Sequence, residues 1–266
     1  MTIRRTAPLL LSLVLATACA HRQPAGAEAA RWAGAGQLVL VTTADWDATT
    51  GTLRYYQREG TRWRQVGGPF DITVGRTGTA WGIGLHAARN DGPVKREGDG
   101  KAPAGVFAIG TAFGYAPSAT TGLAYKGMGS NDWCIDVPES SYYNRIIDRS
   151  LVKAPHLDKS SEPMRRDIHA DGDQRYREGF VIEHNAEGAV ANGGSCIFAH
   201  LWKAPGEATA GCTAMAPGSM APLLAWLDAR RQPVFVELPL AQYAQLRTAW
   251  NLPAIADAEP ARCCRW

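Results

Sequence analysis

One cysteine and one histidine in the C-terminal half have the types and the setting that nucleophilic catalysis needs. Cys212 follows Gly211, and His200 ends a strand-like apolar run, residues 195–200. A thiol attacks a carbonyl at neutral pH only when its pKa is lowered or when a base takes its proton. Imidazole suits that role because its ordinary pKa is about 6.5. We therefore interpret Cys212 as a nucleophile and His200 as its base, since the loop between them can fold back.

The backbone around Cys212 is also suited to stabilising negative charge. Gly211 permits a tight turn, so the amides of Gly211, Cys212 and Thr213 could point at an oxyanion that develops on a substrate carbonyl. Each such donor lowers a barrier by about 3 kcal/mol. Spacing alone leaves structural alternatives open. A cysteine in an exported protein is often half of a disulfide, and a histidine at a strand end is often a surface residue.

Five other residues are candidates for substrate binding on weaker grounds. Three of them are the arginines Arg145, Arg165 and Arg166, whose guanidinium groups can bind a carboxylate of the substrate in a bidentate manner. Surface salt bridges explain these arginines equally well. Among them, His184 is predicted to lie on a strand near that of His200, where it supports the site or fills a polar position. Trp202 is a candidate for lining a substrate groove, with packing in the core as the alternative. These residues are Arg145, Arg165, Arg166, His184 and Trp202.

Composition and charge favour an ordinary globular protein without a nucleic-acid partner. The formal net charge is only +3, and hydrophobic residues make up 45% of the chain, which is enough to bury a core. The histidines lack the spacing of a metal site, so we expect no metal and no cofactor.

The N-terminus has the order of an export signal. Arg4 and Arg5 precede an apolar run that is too short to span a bilayer, and a small-x-small cleavage site ends at Ala18. Cys19 follows at once, so residues 1–18 fit either a secretion signal or a lipoprotein signal with Cys19 acylated and anchored in a membrane. If Cys19 is removed or acylated, five of the six cysteines remain, and an odd number leaves at least one free thiol.

Runs of β-branched and aromatic residues predict the sheet that must position these side chains. A helix capped by Ser219 is predicted directly after Cys212, and a second helix at residues 242–250. Residues 19–36 are predicted to be a flexible tether, residues 37–240 the main domain, and residues 241–266 a C-terminal helix and tail. The long polar segment 130–177 is predicted to be an irregular insertion that forms a lid or a binding wall. The predicted strands are residues 38–42, 52–57, 63–66, 70–74, 106–109, 179–183, 195–200 and 234–238, with a turn at 67–69 between the third and fourth.

Several motifs, in order, resemble the L,D-transpeptidase (YkuD-type) family. Residues 194–215 are similar to its signature, in which a strand ends in His and a later Gly-Cys carries the nucleophile. The closest branch has Thr-Ala-Gly-Cys in place of Ser-His-Gly-Cys, so Ala210 stands where better-known members have a second histidine. Further similarities are Gly75-Arg76 and residues 95–105, 142–145 and 181–185. The resemblance covers roughly residues 38–240.

This resemblance implies a mainly β fold, a YkuD-like sandwich or flattened barrel with a helix after the cysteine. It implies that Cys212 and His200 transfer peptidoglycan stem peptides through a thioester, and that the Leu201 backbone carbonyl orients the histidine. The protein would then be exported, in the periplasm or anchored to the outer membrane of a Gram-negative envelope. Hydrolysis of the same bonds by an L,D-carboxypeptidase or endopeptidase is an alternative. An unrelated cysteine peptidase is another, and so is a non-catalytic peptidoglycan-binding protein with Cys212 in a disulfide to Cys134 or Cys196.

Overall fold

The computed structural model describes residues 29–255, which form a mainly β fold around a closed, barrel-like sheet of eight strands. The prediction of a mainly β architecture is confirmed. The strands are β1 Gln37–Thr43, β2 Thr50–Glu59, β3 Arg62–Thr73, β4 Thr79–Trp81, β5 Ala102–Gly114, β6 Tyr125–Gly127, β7 Asp132–Cys134, β8 Ile146–Asp148, β9 Glu162–Pro163, β10 Glu178–Ile182, β11 Phe198–Leu201, β12 Thr213–Met215 and β13 Val234–Pro239. The helices are α1 Arg166–His169, α2 Pro217–Trp226 and α3 Leu240–Leu246, with short 3-10 turns at Ala30–Trp32, Leu157–Lys159 and Ala229–Arg231.

The barrel closes because β10 pairs with both β11 and β5. Its strands follow the order β10, β11, β12, β3, β2, β1, β13 and β5, and β5 then returns to β10. Most neighbours are antiparallel, but β1 with β13 and β11 with β12 are parallel. The short strands β4 and β6 join the long strand β5 outside the ring. The parallel pair β11–β12 is important for the candidate site because His200 lies in β11 and Cys212 directly precedes β12.

The strand β1 is buried along its whole length, and its central residues form an apolar run. All seven of its residues are buried, the four from Leu38 to Val41 are apolar, and such a run is typical of a strand that is covered on both faces. Val39 and Val41 pack in the cluster that includes helix α2, whereas Leu38 and Leu40 pack with helix α3 and Trp250. Alternate side chains of one strand therefore join two cores.

Two local predictions are wrong for identifiable reasons. The turn predicted at 67–69 lies inside the single strand β3, where the register against β2 shifts. A Cβ at Gly67 would overlap the Tyr55 ring, so the glycine makes room for an aromatic side chain rather than a turn. Helix α2 begins at Pro217 after Ala216, and no side chain caps it, so Ser219 is not its N-cap. Proline suits the first position of a helix because that amide has no partner there.

The folded domain extends beyond both predicted boundaries. Trp32, assigned to the tether, is only 4% exposed and packs edge-on against Trp250, with ring centroids 5.6 Å apart. Helix α3 and the residues up to Ile255 join the same core, so residues 241–255 of the predicted C-terminal segment belong to the domain. The export signal, Cys19, Cys263 and Cys264 lie outside the described residues.

The central insertion has more regular structure than its sequence indicated. Strands β8, β7 and β9 form a separate three-stranded sheet, and the one-turn helix α1 follows it. This small sheet has its own apolar cluster around Ile135, Val137 and Leu157. Within residues 29–255, no helix combines the length and apolar character that a membrane crossing requires.

Candidate active site

Two adjacent parallel strands bring Cys212 and His200 to one cavity. His200 lies in β11 opposite Ala214 of β12, and Cys212 directly precedes β12. Both side chains line a cavity of about 220 Å³. Strand pairing therefore fixes the two groups relative to each other more firmly than the loop between them could.

The Cys212 thiol is free, buried and held by backbone groups. It is 7% exposed, and the Phe198 amide donates a hydrogen bond to its Sγ at 3.4 Å. The thiol in turn faces the Cys196 carbonyl at 3.5 Å. Both contacts come from the chain that leads into β11, so the strand that carries the histidine also orients the sulfur.

The two other described cysteines form a disulfide with each other. Cys134 of β7 and Cys196, just before β11, are joined across 62 residues of sequence. One alternative raised from the sequence, the non-catalytic binding protein, has Cys212 in a disulfide to Cys134 or Cys196, and the structure contradicts both pairings. The bridge ties the small insertion sheet to the wall of the cavity, because Cys196 lines it together with Cys212.

His200 has a defined tautomer. Its Nδ1 lies 2.7 Å from the Leu201 carbonyl oxygen, the contact that the family resemblance implies. A carbonyl can only accept, so the neutral ring carries its proton on Nδ1 and leaves Nε2 with a lone pair. The ring is 3% exposed, and Tyr176 packs edge-on against it at 5.1 Å. Nε2 is thus the atom that can take a proton.

Burial keeps both groups uncharged at neutral pH. Loss of solvation lowers the pKa of His200 to about 4, outweighing the Leu201 hydrogen bond that favours its protonated form. Loss of solvation raises the pKa of the Cys212 thiol to about 12, and the nearby Glu162 carboxylate adds to the rise. The free site therefore holds a thiol and an imidazole rather than a thiolate and an imidazolium.

No protein-family model, curated protein or solved structure matches this chain.

The chemistry open to the cavity depends on the groups around the thiol. Charged side chains of both signs line it. The cations are Arg76, Lys95, Arg166 and Arg175, and the acids are Glu97, Asp136 and Glu162.

The loop before Cys212 is organised by Thr209. The Gly211 amide donates to the Thr209 Oγ1 at 3.0 Å, and the same hydroxyl donates to the Cys212 carbonyl at 2.6 Å. Gly211 has a φ of +150°, which favours glycine. Its amide is engaged with Thr209 and is not an oxyanion donor, contrary to the prediction. Because Thr213 lies in the paired strand β12, the Cys212 amide is the donor we expect at this position.

A network of ion pairs forms the wall beside His200. Arg166 contacts Glu162 at 3.1 Å and Asp173 at 2.9 Å, and Arg175 contacts Asp173 at 2.7 Å. Burial alone would raise the pKa of Asp173, but hydrogen bonds from Arg175 and Arg166 lower it to about 2. Burial raises the pKa of Glu162. The two arginines are thus largely neutralised by protein carboxylates.

The structure brings only one of the five weaker candidates into the cavity. Arg166 lines it, whereas Arg145 is exposed and lines a second cavity together with Phe198 of β11. Arg165 pairs with Asp167 at 2.7 Å, and Trp202 donates to Thr73 at 2.9 Å. Neither is part of the cavity wall.

His184 does not line the cavity and fixes the neighbouring backbone. Its Nδ1 accepts from the Ile83 amide at 3.2 Å, so its Nε2 carries the proton and donates to the Gly193 carbonyl at 3.0 Å. Burial lowers the pKa of this ring to about 4. Both ring nitrogens are bound to backbone, so the residue holds the segment that leads to Cys196.

Sequence reasoning missed most of the cavity wall. Arg175, Tyr176 and Glu162 gave no motif of their own, and they reach the site from the insertion. Glu97 accepts hydrogen bonds from Tyr143 and from Ser195, at 2.7 Å for Ser195. Both Glu97 and Tyr143 lie in segments that resemble the family, but the sequence assigns neither of them a role. Among residues 29–255, no group of three His, Cys, Asp or Glu side chains is arranged to bind a metal.

Proposed function

We propose that this protein is a cysteine acyltransferase of the L,D-transpeptidase type that acts on peptidoglycan stem peptides. One observation carries the proposal: the only unpaired thiol among residues 29–255 shares a buried cavity with a histidine whose Nε2 can accept a proton. The choice of substrate rests on the resemblance of residues 38–240 to that family. The fold, a mainly β barrel with a helix after the cysteine, is compatible with it.

The first half of the reaction uses the neutral pair. As Cys212 Sγ attacks the carbonyl carbon of an L-to-D peptide bond, its proton moves to His200 Nε2, and the Cys212 amide stabilises the oxyanion. The tetrahedral intermediate then expels the amine, which takes the proton from His200. A thioester remains on Cys212, and His200 is neutral again.

The second half resolves the thioester. An acceptor amine loses a proton to His200 Nε2 and attacks the thioester carbonyl, which forms a new amide. The departing sulfur regains the proton from His200. With water in place of the amine, the same steps release a carboxylic acid, so hydrolysis is the alternative outcome at this site.

An exported location is part of the proposal. Disulfides persist in oxidising compartments, and the Cys134–Cys196 bond supports a location outside the cytoplasm. The residues that would carry an export signal, 1–18, and a lipid at Cys19 remain predictions.

The direct test is incubation with a defined tetrapeptide stem and mass analysis for a dimer, an exchanged residue or a trimmed product. We expect turnover by the wild type and a loss of at least about 1000-fold in Cys212→Ser and in His200→Asn, since nucleophile and base act as a unit. Both variants should keep the wild-type thermal midpoint. A variant that retains wild-type turnover would contradict the mechanism, and an inactive wild type would contradict the function.

A further inference from the structure

Arg76 lies at the mouth of the cavity and is fixed to the nucleophile loop. Its amide donates to the Thr209 carbonyl at 2.8 Å, and the Thr209 amide donates to the Val74 carbonyl at 2.9 Å. The Thr209 hydroxyl binds the Cys212 carbonyl. Two hydrogen-bonded steps therefore connect the backbone of an exposed arginine to the nucleophile.

The side chain of Arg76 lies over a glycine. A Cβ on Gly100 would stand 3.1 Å from Arg76 Cζ and 3.2 Å from its Nε. Gly100 has a φ of +70°, a conformation that side chains rarely adopt. The guanidinium thus packs against the bare backbone of Gly100, and Arg76 itself lines the cavity.

Arg76 differs from the other cations of the cavity in its charge balance. Lys95 pairs with Asp99 at 2.6 Å, and Arg166 and Arg175 pair with protein carboxylates, as described above. Within residues 29–255, no carboxylate forms an ion pair with Arg76. An exposed guanidinium without a protein partner is available for an anion from outside.

We propose that Arg76 binds a free carboxylate of the peptide substrate and selects peptides that carry one close to the scissile bond. This inference rests on the proposed function, because it places the peptide next to Cys212. A guanidinium binds a carboxylate through two parallel hydrogen bonds, a geometry that neither a carboxamide nor a lysine side chain reproduces. Arg76 is thus a specificity-determining residue and takes no part in proton transfer.

The chemistry allows two sources for the carboxylate, the C-terminus of the peptide or an acidic side-chain group close to the scissile bond. Three tetrapeptide stems separate them: the free acid, the C-terminal carboxamide, and the peptide whose side-chain carboxylate is amidated. Binding is measured on the Cys212→Ala protein, which still presents Arg76 but cannot react. Turnover is measured on proteins that retain Cys212.

We expect Arg76→Gln to weaken binding of the free acid by about 10-fold to 100-fold, the range for a hydrogen bond to a charged group. The same substitution should leave binding of one amidated peptide unchanged, and that peptide identifies the carboxylate. Arg76→Lys should recover part of the loss. The matched control is Arg62→Gln, an exposed arginine on the distant β2–β3 hairpin, which should bind all three peptides like the parent.

Equal weakening for all three peptides would overturn the inference, and so would no weakening at all. Both results are independent of the proposed function, which fails instead if the wild-type protein turns over none of the peptides. Because Arg76 is exposed, the thermal midpoint of Arg76→Gln should equal that of the parent. Loss of binding that accompanied a lower midpoint would count as a structural effect and would also overturn the assignment.

Discussion

Cys212 and His200 show that the burial which brings two groups together also sets their protonation states. Desolvation lowers the pKa of the imidazole to about 4 and raises that of the thiol to about 12. A neutral thiol is a weak nucleophile, so attack must coincide with proton transfer to Nε2. The proposed mechanism therefore requires a substrate carbonyl that lies within reach of the sulfur at the moment of proton transfer.

This protonation state predicts a slow, pH-dependent alkylation of Cys212. Because iodoacetamide reacts with the thiolate, the rate should rise about tenfold per pH unit from about pH 6 to about pH 9. It should show no plateau in that range. Labelling of Cys212 followed by peptide mass mapping measures the rate. Cys134 and Cys196 do not react with iodoacetamide because they are joined in the disulfide. A plateau reached below about pH 7 would instead indicate a thiolate–imidazolium pair.

Glu237 predicts a pH-dependent stability difference. It is 0% exposed on β13, accepts a hydrogen bond from Thr213 Oγ1 at 2.8 Å, and has a pKa that burial raises to about 8. The folded state therefore binds a proton that the unfolded state releases above about pH 4.5, and stability falls as the pH rises from there to about 8. Glu237→Gln removes this cost.

The free energy of unfolding of Glu237→Gln, relative to wild type, should increase by as much as about 3 kcal/mol between about pH 4 and pH 7. Urea unfolding at several pH values measures it. Thr213→Val provides a comparison, because it removes the hydroxyl and keeps the carboxyl. A difference between Glu237→Gln and wild type that stays constant with pH would show that Glu237 ionises normally.

At the scale of the elements, the sequence predicts those strands and helices whose formation depends on residues close together in the chain. The continuous apolar run of β1, the strand that ends near His200 and the helix after Cys212 are all evident from residues close in sequence. Strand β3 was divided at Gly67 because the residue that requires the glycine, Tyr55, lies on the neighbouring strand. The insertion was predicted to be irregular because its three strands are very short and gain stability only by pairing with one another.

In the candidate site, too, the sequence predicts the residues that are close together in the chain and misses those that come from distant segments. Cys212 and His200 are close in sequence, so a single signature contains both. Arg175, Tyr176 and Glu162 reach the cavity from the insertion, and Glu97 from the segment before β5. Their positions depend on barrel closure and on the disulfide, which no short motif encodes. The oxyanion prediction failed at Gly211 because the side chain of Thr209 competes for its amide.

The disulfide between β7 and the chain before β11 predicts a coupled loss of stability and activity. Its 62-residue separation implies that removing it lowers the free energy of unfolding by about 4 kcal/mol in the chain-entropy model. The double variant Cys134→Ala/Cys196→Ala tests this, because among residues 29–255 it leaves Cys212 as the only cysteine, so that no half of the broken bridge can pair with it. Turnover should fall as well, since the Cys196 carbonyl helps to orient the sulfur.

Denaturant unfolding of the double variant, compared with the wild type under non-reducing conditions, measures the first effect. Muropeptide turnover at a temperature where both proteins are folded measures the second. Equal stability would show that the insertion is held to the barrel by its other contacts alone. Unchanged turnover would show that Cys212 keeps its orientation without the bridge.

At the scale of the whole molecule, Trp32 joins the two ends of the described chain. It contacts Trp250, and both are buried in the cluster on the α3 side of the barrel. A chain that begins at residue 29 should unfold at the same denaturant concentration as one that begins at residue 19. A chain that begins at residue 37 should lose about 3 to 5 kcal/mol, the usual cost of removing a buried tryptophan.

Trp32→Ala in the chain that begins at residue 29 is the matched variant, and it should account for most of this loss. If the chain that begins at residue 37 were as stable as the longer one, residues 29–36 would be the tether that the sequence suggested. Circular dichroism during denaturant titration is sufficient for all four proteins.

The closed ring of strands also determines where movement at this site can occur. β11 is hydrogen-bonded to β10 and β12, and β12 to β11 and β3, so neither strand can shift without breaking bonds on both sides. The pairing therefore restrains His200 relative to Thr213, the residue that directly follows Cys212. Widening of the entrance is expected in the lining segments outside the ring, which include the insertion, residues 95–98 and residues 209–211. A change in the insertion would therefore also reach the thiol, because the Cys134–Cys196 bond couples the insertion to the residue whose carbonyl contacts Cys212 Sγ.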